Sequence, residues 1–247
     1  MALKTTINYS PNFNPKKRVF KKIKFIIFHY TGMKNESAAI SKLTEIQSEV
    51  SSHYLIKNNG EIVKMVPDLY IAWHAGESSW KNYKSLNQNS IGIEITNPGH
   101  EYGYKKFTKK QIFSLLRLGR FLIKKYKISP RNFLGHSDIA VLRKKDPGEK
   151  FPWKYLSQSK VGLWHTVKKQ KLLKNRKIKT TKVEKEYFIN NLFKIGYSKK
   201  FSKSMSKDNH LNNITKAFQR RYRQDLIDSK IDQECFLISQ NLMKKLC

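Results

Sequence analysis

The sequence predicts an α/β fold in which helices flank a mixed central β-sheet, followed by a small C-terminal domain of three helices. Two observations support this prediction. In the larger, N-terminal part of the chain, short β-prone runs alternate with two segments of helical periodicity. Beyond a lysine-rich stretch, the remaining segments have helical spacing without any strand pattern.

The first strands are predicted by short apolar runs with clear boundaries. Residues 23–28 (IKFIIF) form an apolar run bounded by charge, which is typical of a buried strand. Residues 54–56 and 61–66 flank the dipeptide Asn59-Gly60. Because Asn and Gly both tolerate a positive φ, this dipeptide between two β-prone runs predicts a hairpin with a type I′ turn.

A further run, residues 90–96 (SIGIEIT), alternates between two faces. Its isoleucines share one face, whereas Gly92 and Glu94 share the other. A lone carboxylate on a buried strand is expected to have a polar partner or a functional role, because burying it unpaired is costly. A surface position on a half-exposed sheet would explain Glu94 equally well. Residues 132–135 predict one more short strand.

Helical spacing recurs along the chain. Residues 37–50 carry apolar side chains at helical intervals, and Thr108 and Gln111 have the spacing of a capping box that opens a second helix. Three later segments predict the helices of the C-terminal domain: residues 184–192, 214–222 and 234–246.

Composition divides the chain into four parts. Residues 1–22 form a basic arm that has no acidic residue and no apolar stretch of a signal peptide. Residues 23–165 contain every motif described below. Residues 166–183 include eight Lys or Arg residues, no acid and little periodicity, which is typical of a solvated linker. Residues 184–247 then form the helical domain.

The chain is strongly cationic: 50 Lys and Arg residues against 18 acidic residues give a formal net charge of +32. This charge favours binding to polyanions such as nucleic acid, anionic lipid or cell-wall polymer. A lysine-rich proteome with biased codon usage would produce the same composition, so the charge alone assigns no partner. No run approaches the roughly 20 apolar residues of a transmembrane helix. Cys235 and Cys247 are too few for a disulfide framework.

Three residues are candidates for a catalytic metal site. His29 ends the first predicted strand (FHYTG), and His136 ends the strand at residues 132–135 (FLGHSDIA). Sheet proteins build sites where loops diverge at the carboxyl ends of strands. Asp146 stands just before a Pro-Gly turn. Two imidazoles and one carboxylate suffice for a catalytic zinc with water as the fourth ligand. In a chain with seven histidines, spacing alone makes this weak evidence.

Further candidates surround this triplet. Lys144 offers a cation next to the carboxylate, although it also belongs to a run of basic residues. His53 and His74 could line the same crevice or be ordinary core histidines. Trp73 and Trp80 could supply apolar walls for a sugar or a peptide.

Six motifs occur in the order and spacing of one enzyme family: FHYTG, SSHYLI, AWHAG, SIGIEITN, GHSDIA and RKKDPGEKFPW. Over residues 8–165 the chain therefore resembles the zinc-dependent N-acetylmuramoyl-L-alanine amidases of the AmpD/AmiD type. The resemblance implies that Glu94 is the catalytic glutamate and that Lys144 stabilises the transition state. It also implies one zinc ion per chain, held by His29, His136 and Asp146.

The resemblance implies an activity and a domain organisation. The expected reaction is hydrolysis of the amide bond between N-acetylmuramoyl, or its 1,6-anhydro form, and L-alanine in peptidoglycan or soluble muropeptides. Residues 23–165 would be the catalytic domain. Residues 184–247 look like the peptidoglycan-binding module of the AmiD branch, in the stretches LFKIGYS, ITKAFQRRYR and CFLISQNL. We expect a monomer that acts in the cell envelope, with the cytoplasm as the alternative.

Two other classes of protein share part of this pattern. Non-catalytic peptidoglycan-recognition proteins share the fold but lack part of the metal set, whereas this chain has all three ligands together with Glu94 and Lys144. A nucleic-acid-binding protein would suit the charge, but the sequence contains no recognisable recognition motif. No specific nucleic-acid partner is therefore expected.

Overall fold

The computed structural model describes residues 3–199 and 206–246. Its centre is a six-stranded sheet made of β1 (Thr6–Ile7), β3 (Phe25–Tyr30), β4 (Tyr54–Ile56), β5 (Ile62–Lys64), β9 (Ser90–Ile95) and β10 (Phe133–Gly135). The spatial order is β1-β5-β4-β9-β3-β10. Only β4 and β5 pair antiparallel in this sheet, and its other pairs are parallel.

Shorter strands and helices surround this sheet. β2 (Phe13–Asn14) pairs with β6 (Ile71–Ala72), and β7 (Ser79–Trp80) pairs with β8 (Tyr83–Lys84). The helices are α1 (Glu36–Thr44), α2 (Lys109–Tyr126), α3 (His136–Ile139), α4 (Trp153–Ser157), α5 (Lys169–Asn175), α6 (Lys182–Ile195), α7 (Lys207–Tyr222) and α8 (Gln233–Lys244). Within the described ranges, none of them is long and apolar enough to cross a membrane.

The two faces of the sheet carry different cores. The predicted alternation in β9 is confirmed, because its isoleucines pack with Phe28 and with the leucines of α2 on one face. Phe25, Ile27 and Leu134 lie in the other core, together with apolar residues of α6, α7 and α8. His29 continues the row of Phe25 and Ile27, so its side chain lies on the face that the C-terminal helices cover.

The predicted hairpin and capping box are both present. β4 and β5 pair as expected, and Thr108 and Gln111 make both reciprocal hydrogen bonds at the start of α2. The predicted turn type is wrong: Gly60 has φ +84°, but Asn59 is not in the positive-φ region that a type I′ turn requires. The loop instead closes with two hydrogen bonds, one from Gly60 N to Lys57 O and one from Lys57 N to Glu61 O.

The N-terminal segment is not a separate arm, contrary to the prediction for residues 1–22. β1 adds a parallel edge strand to β5, and β2 pairs with β6. Arg18 is 5% exposed, and its guanidinium donates to the backbone oxygens of Asp68 and Asn87. Strands of two residues are too short to show a period, so the sequence pattern could not reveal them.

The segment at residues 166–183, predicted to be a solvated linker, is mostly exposed but contains regular structure. α5 lies within it, and Leu172 is buried in the core of the C-terminal helices. Arg176 forms an ion pair with Glu234 at 2.6 Å, and Lys179 forms a β-bridge with Asp232. The segment is therefore part of the helical region.

The C-terminal helices share a core with the sheet. Apolar side chains of both parts belong to one cluster that includes Phe25 and Leu134 of the sheet with Phe188 and Phe218 of the helices. Trp80 packs against Tyr197 with the ring centroids 5.0 Å apart. The boundary between a catalytic and a helical domain thus runs through a continuous apolar interior.

Candidate metal centre

The candidate ligands lie at the carboxyl ends of two neighbouring parallel strands. His29 is the penultimate residue of β3, and His136 directly follows β10, which pairs with β3. Asp146 lies in the loop after α3, where its backbone oxygen accepts a hydrogen bond from Ser137 N at 2.8 Å. This bond ties the loop of Asp146 to the turn that carries His136.

The three donor atoms form a small buried triangle. His29 Nδ1, His136 Nδ1 and Asp146 Oδ2 are each 3.0 Å from the other two. All three residues are buried. A tetrahedral zinc ion with bonds of about 2.0–2.2 Å holds its ligand atoms roughly 3.3–3.6 Å apart. The observed triangle is only slightly smaller, so this donor set fits a single metal ion.

The electrostatics of the triangle favour the protonation states that bind a metal. Burial, reinforced by the charge of His136, lowers the pKa of His29 to about 4. Burial alone would raise the pKa of Asp146, but the neighbouring imidazoles of His136 and His29 outweigh this effect and hold that pKa well below its ordinary value. At neutral pH the site therefore presents a neutral imidazole and a carboxylate, the forms that coordinate metals.

A chain of hydrogen bonds fixes the tautomer of His29. Ser90 Oγ donates to Leu86 O at 2.6 Å, so it accepts from His74 Nε2, which lies 3.2 Å away. His74 Nδ1 must then accept from His29 Nε2, at 3.0 Å. This leaves His29 Nδ1 without a proton and directed at the other two donors. A Cβ at Gly92 would lie 2.4 Å from the ring of His74, so only glycine leaves room for this arrangement.

His136 is oriented in the same way by the backbone. Its Nε2 lies 3.1 Å from Ala75 O and donates to it, which frees Nδ1 for the triangle. The guanidinium of Arg143 also donates to Ala75 O and to Glu77 O. Arg143 therefore holds the 75–77 loop in place behind His136.

Glu94 lies beside the triangle with an unsatisfied oxygen. It pairs with His29 in the register of β9 and β3, so both side chains lie on the same face of the sheet. Its Oε2 is buried and has no hydrogen-bond partner among the residues described. Burial raises the pKa of Glu94 well above 4.5, the charge of Asp146 adds to this effect, and Lys144 opposes it. A buried carboxyl group with a raised pKa beside a candidate metal site is typical of a catalytic acid or base.

These groups open into one pocket with a volume of about 400 Å³. Trp73, with 37% of its surface exposed, and Tyr30 supply aromatic walls. Its lining also includes a set of cations: Lys42, Arg143, Lys144 and Lys145. The pocket therefore combines the buried donor triangle with aromatic and positively charged surfaces.

Two of the predicted substrate contacts, His53 and Trp80, do not line the pocket. His53 is fully buried, accepts a hydrogen bond from Gly92 N at its Nδ1 and has its Nε2 within 3.1 Å of Tyr70 O. Trp80 is 2% exposed and packs against the C-terminal helices instead of lining the pocket. His74 does line the pocket, but its ring nitrogens are directed at His29 and Ser90.

The groups that orient the ligands leave little or no signal in the sequence. Ser90 and the carbonyl of Ala75 gave no signal, because a serine and a backbone oxygen occur everywhere. Gly92 offered a weak one, since a glycine inside a strand marks a close approach by another group. A buried His-His-Asp donor set beside a glutamate of raised pKa defines the site of a metal-assisted hydrolase.

Comparison with known proteins gives this class a family. Residues 19–149 match the family model of N-acetylmuramoyl-L-alanine amidase. The chain is 33% identical over 238 residues to N-acetylmuramoyl-L-alanine amidase AmiD of Escherichia coli (strain K12), covering 92% of this chain and 84% of that protein. It is 40% identical over 116 residues to 1,6-anhydro-N-acetylmuramyl-L-alanine amidase AmpD of Haemophilus influenzae, which covers 46% of this chain and 61% of that protein.

Solved structures agree. AmiD from E. coli, in complex with anhydro-N-acetylmuramic acid-L-Ala-D-gamma-Glu-L-Lys, has a TM-score of 0.77 at 32% identity and covers 94% of this chain and 93% of its own. AmpDh3 from Pseudomonas aeruginosa has a TM-score of 0.77 at 28% identity, covering 98% and 99%. The chain belongs to the N-acetylmuramoyl-L-alanine amidase family, and it is an amidase that hydrolyses the bond between the muramoyl group and L-alanine.

Proposed function

We propose that the amidase uses one zinc ion held by His29 Nδ1, His136 Nδ1 and Asp146 Oδ2. The observation that supports this proposal is the 3.0 Å triangle of buried donor atoms beside the unpaired oxygen of Glu94. When bound in such a site, zinc acts as a Lewis acid and lowers the pKa of its water to about 7. Elemental analysis of the purified protein should find one zinc per chain, and His136→Ala should lose it.

Glu94 is the general base and acid of the proposed reaction. Its carboxylate takes the proton of the attacking water as the new C–O bond forms at the carbonyl carbon. It then gives this proton to the leaving nitrogen of L-alanine as the C–N bond breaks. A buried carboxyl group whose pKa is raised above its ordinary value is a stronger base than an exposed one, which favours the uptake of the water proton.

Lys144 stabilises the oxyanion in this proposal. It lines the pocket, and its charge is near enough to lower the pKa of Glu94 and that of His29. Removal of one such donor from an enzyme typically costs about 3–4 kcal/mol of transition-state stabilisation. Lys144→Met should therefore reduce kcat by roughly 10²–10³-fold.

The proposed substrates are anhydro-muropeptides and peptidoglycan fragments. Relatives named for the 1,6-anhydro substrate, and a related structure holding an anhydromuramoyl tripeptide, support this choice. Trp73 and Tyr30 offer apolar surfaces to the sugar, whereas Lys42 and Lys145 offer charge to the carboxylates of the stem peptide. Mass spectrometry of digests of free anhydro-muropeptide and of whole sacculi will test this proposal. Failure to release peptide from either would favour a non-catalytic recognition protein.

We further propose that the enzyme acts in the cell envelope as a monomer and that its C-terminal helices contact the wall. The net charge of +32 supports retention on an anionic wall polymer. Co-sedimentation with sacculi at increasing salt, cell fractionation and the mass in solution, expected near 29.1 kDa, will test these points.

A further inference from the structure

A buried arginine of the C-terminal helices binds residues on both sides of His136: the backbone of Phe133 and the side chain of Asp138. Arg221, in α7, donates from Nη1 to Asp138 Oδ2 at 2.5 Å and from Nη2 to Phe133 O at 2.9 Å. The side chains of Arg221 and Asp138 are 3% and 0% exposed. The guanidinium also lies 4.2 Å from the centroid of the Trp153 ring. One planar group therefore contacts β10 before the ligand and α3 after it.

Asp138 links Arg221 to the backbone next to His136. Its Oδ2 accepts a hydrogen bond from Gly135 N, the residue that precedes His136, at 2.8 Å. Its Oδ1 accepts from the hydroxyl of Tyr197, which follows α6, at 2.8 Å. The carboxylate thus accepts one hydrogen bond from the backbone N of Gly135 and two from Arg221 and Tyr197 of the C-terminal region. All of these groups are buried, so the bonds are shielded from water.

We propose that Arg221 and Tyr197 are positioning residues for His136, so that the C-terminal helices form a structural part of the metal centre. The inference rests on the proposed role of His136 as a zinc ligand. A module that serves only to bind the wall would leave the zinc affinity unchanged when its contacts are altered. Here the helices fix the turn from which Nδ1 of His136 reaches the other donors.

The test compares two neighbouring buried arginines. Arg221→Met removes the contact with Asp138, whereas Arg223→Met removes ion pairs with Asp232 and Asp228 that lie wholly within the C-terminal region. The zinc affinity of the full chain is measured by competition with a chelator. Groups that orient metal ligands typically change affinity by about 10–100-fold, so Arg221→Met should lose that much. Arg223→Met should lose less than about 3-fold, even if its Tm falls equally.

Kinetics and a conservative variant separate positioning from stability. Arg221→Met should lower kcat of the zinc-loaded enzyme while KM changes by less than about 3-fold, because the pocket walls are untouched. Arg221→Lys keeps the charge opposite Asp138 but cannot bond Phe133 O at the same time, so it should restore zinc affinity only in part. Equal losses of zinc affinity in Arg221→Met and Arg223→Met would overturn the proposal.

A milder pair of variants covers the case in which Arg221→Met does not fold. Tyr197→Phe removes only the hydroxyl bound to Asp138, and Tyr126→Phe removes a hydroxyl bound to Asp68 at 2.6 Å, away from the centre. Tyr197→Phe should weaken zinc binding by roughly 3–10-fold, and Tyr126→Phe should not. Unchanged zinc affinity in Tyr197→Phe would refute the positioning role but would leave the assignment of His136 as a ligand intact. Full zinc content in His136→Ala would instead refute the ligand assignment.

Discussion

Glu94→Gln is the sharpest test of the proposed mechanism, because the structure isolates the chemistry of this side chain from its packing. The substitution keeps the shape of the side chain, and Oε2 has no hydrogen-bond partner among the described residues that could be lost. The amide cannot take up or release the proton at issue. General acid–base catalysis contributes about 10²–10⁴-fold, so kcat should fall by that factor, about 2.7–5.5 kcal/mol in the activation free energy.

The structure also says what should stay constant in this variant. Glu94 is not one of the three donor residues, so the zinc content should remain at one per chain. Burial already disfavours the charged carboxylate, so a neutral amide should leave the free energy of unfolding unchanged or raise it slightly.

The assay measures the release of the stem peptide from anhydro-muropeptide at saturating substrate, and chromatography separates the products. Glu101→Gln is the matched control, because Glu101 is an exposed carboxylate that lines the same pocket. It should keep kcat within about 3-fold of the wild type, far from the loss that removal of a general base causes. If Glu94→Gln kept kcat within the same range, Glu94 would not be the base, and another group would have to transfer the proton.

Three more predictions concern the surroundings of the centre. His74→Phe removes the acceptor of the His29 proton, so zinc affinity in chelator competition should fall about 10–100-fold, and unchanged affinity would refute the tautomer argument. Trp73→Ala should raise KM for anhydro-muropeptide several-fold with little change in kcat, whereas an equal fall in kcat would place Trp73 in the chemistry. Burial opposes ionisation of Asp68, but hydrogen bonds from Lys125 and two tyrosines outweigh it and lower its pKa. Its contribution to stability is thus full above the unfolded pKa of about 3.9 and is lost as the pH falls through the lower folded value. In urea unfolding at pH 6, Asp68→Asn should have a lower free energy of unfolding than the wild type, and the difference should shrink in acid. A difference that stays constant with pH would argue against this linkage.

The sequence predicted the elements whose periodicity is long enough to see. β3 and β9 were found from their apolar runs and alternation, and the start of α2 from its capping box. β1 and α5 were not found, because a two-residue strand has no visible period and α5 buries only Leu172. Their structure depends on tertiary contacts with distant parts of the chain.

The candidate site shows the same limit. Strand ends and the family resemblance located His29 and its partners in the triangle, and the structure brings them together. His53 and His74 could not be told apart, because each follows a similar local pattern and only the packing decides which ring reaches His29. The burial of Trp80 depends on Tyr197, which lies far along the chain. Local spacing contains no information about such a contact.

The shared core between the sheet and the C-terminal helices has a consequence for how the enzyme is made. α7 and α8 follow the sheet and all three candidate ligands in the chain, so they are synthesised later. They nevertheless cover the apolar row of β3, and α7 carries the arginine that donates to the backbone of β10. Until they arrive, Phe25, Ile27 and Leu134 remain uncovered and the turn of His136 is held on one side only. A chain shortened before α7 would therefore contain the three candidate ligands without the contacts that Arg221 makes on both sides of His136.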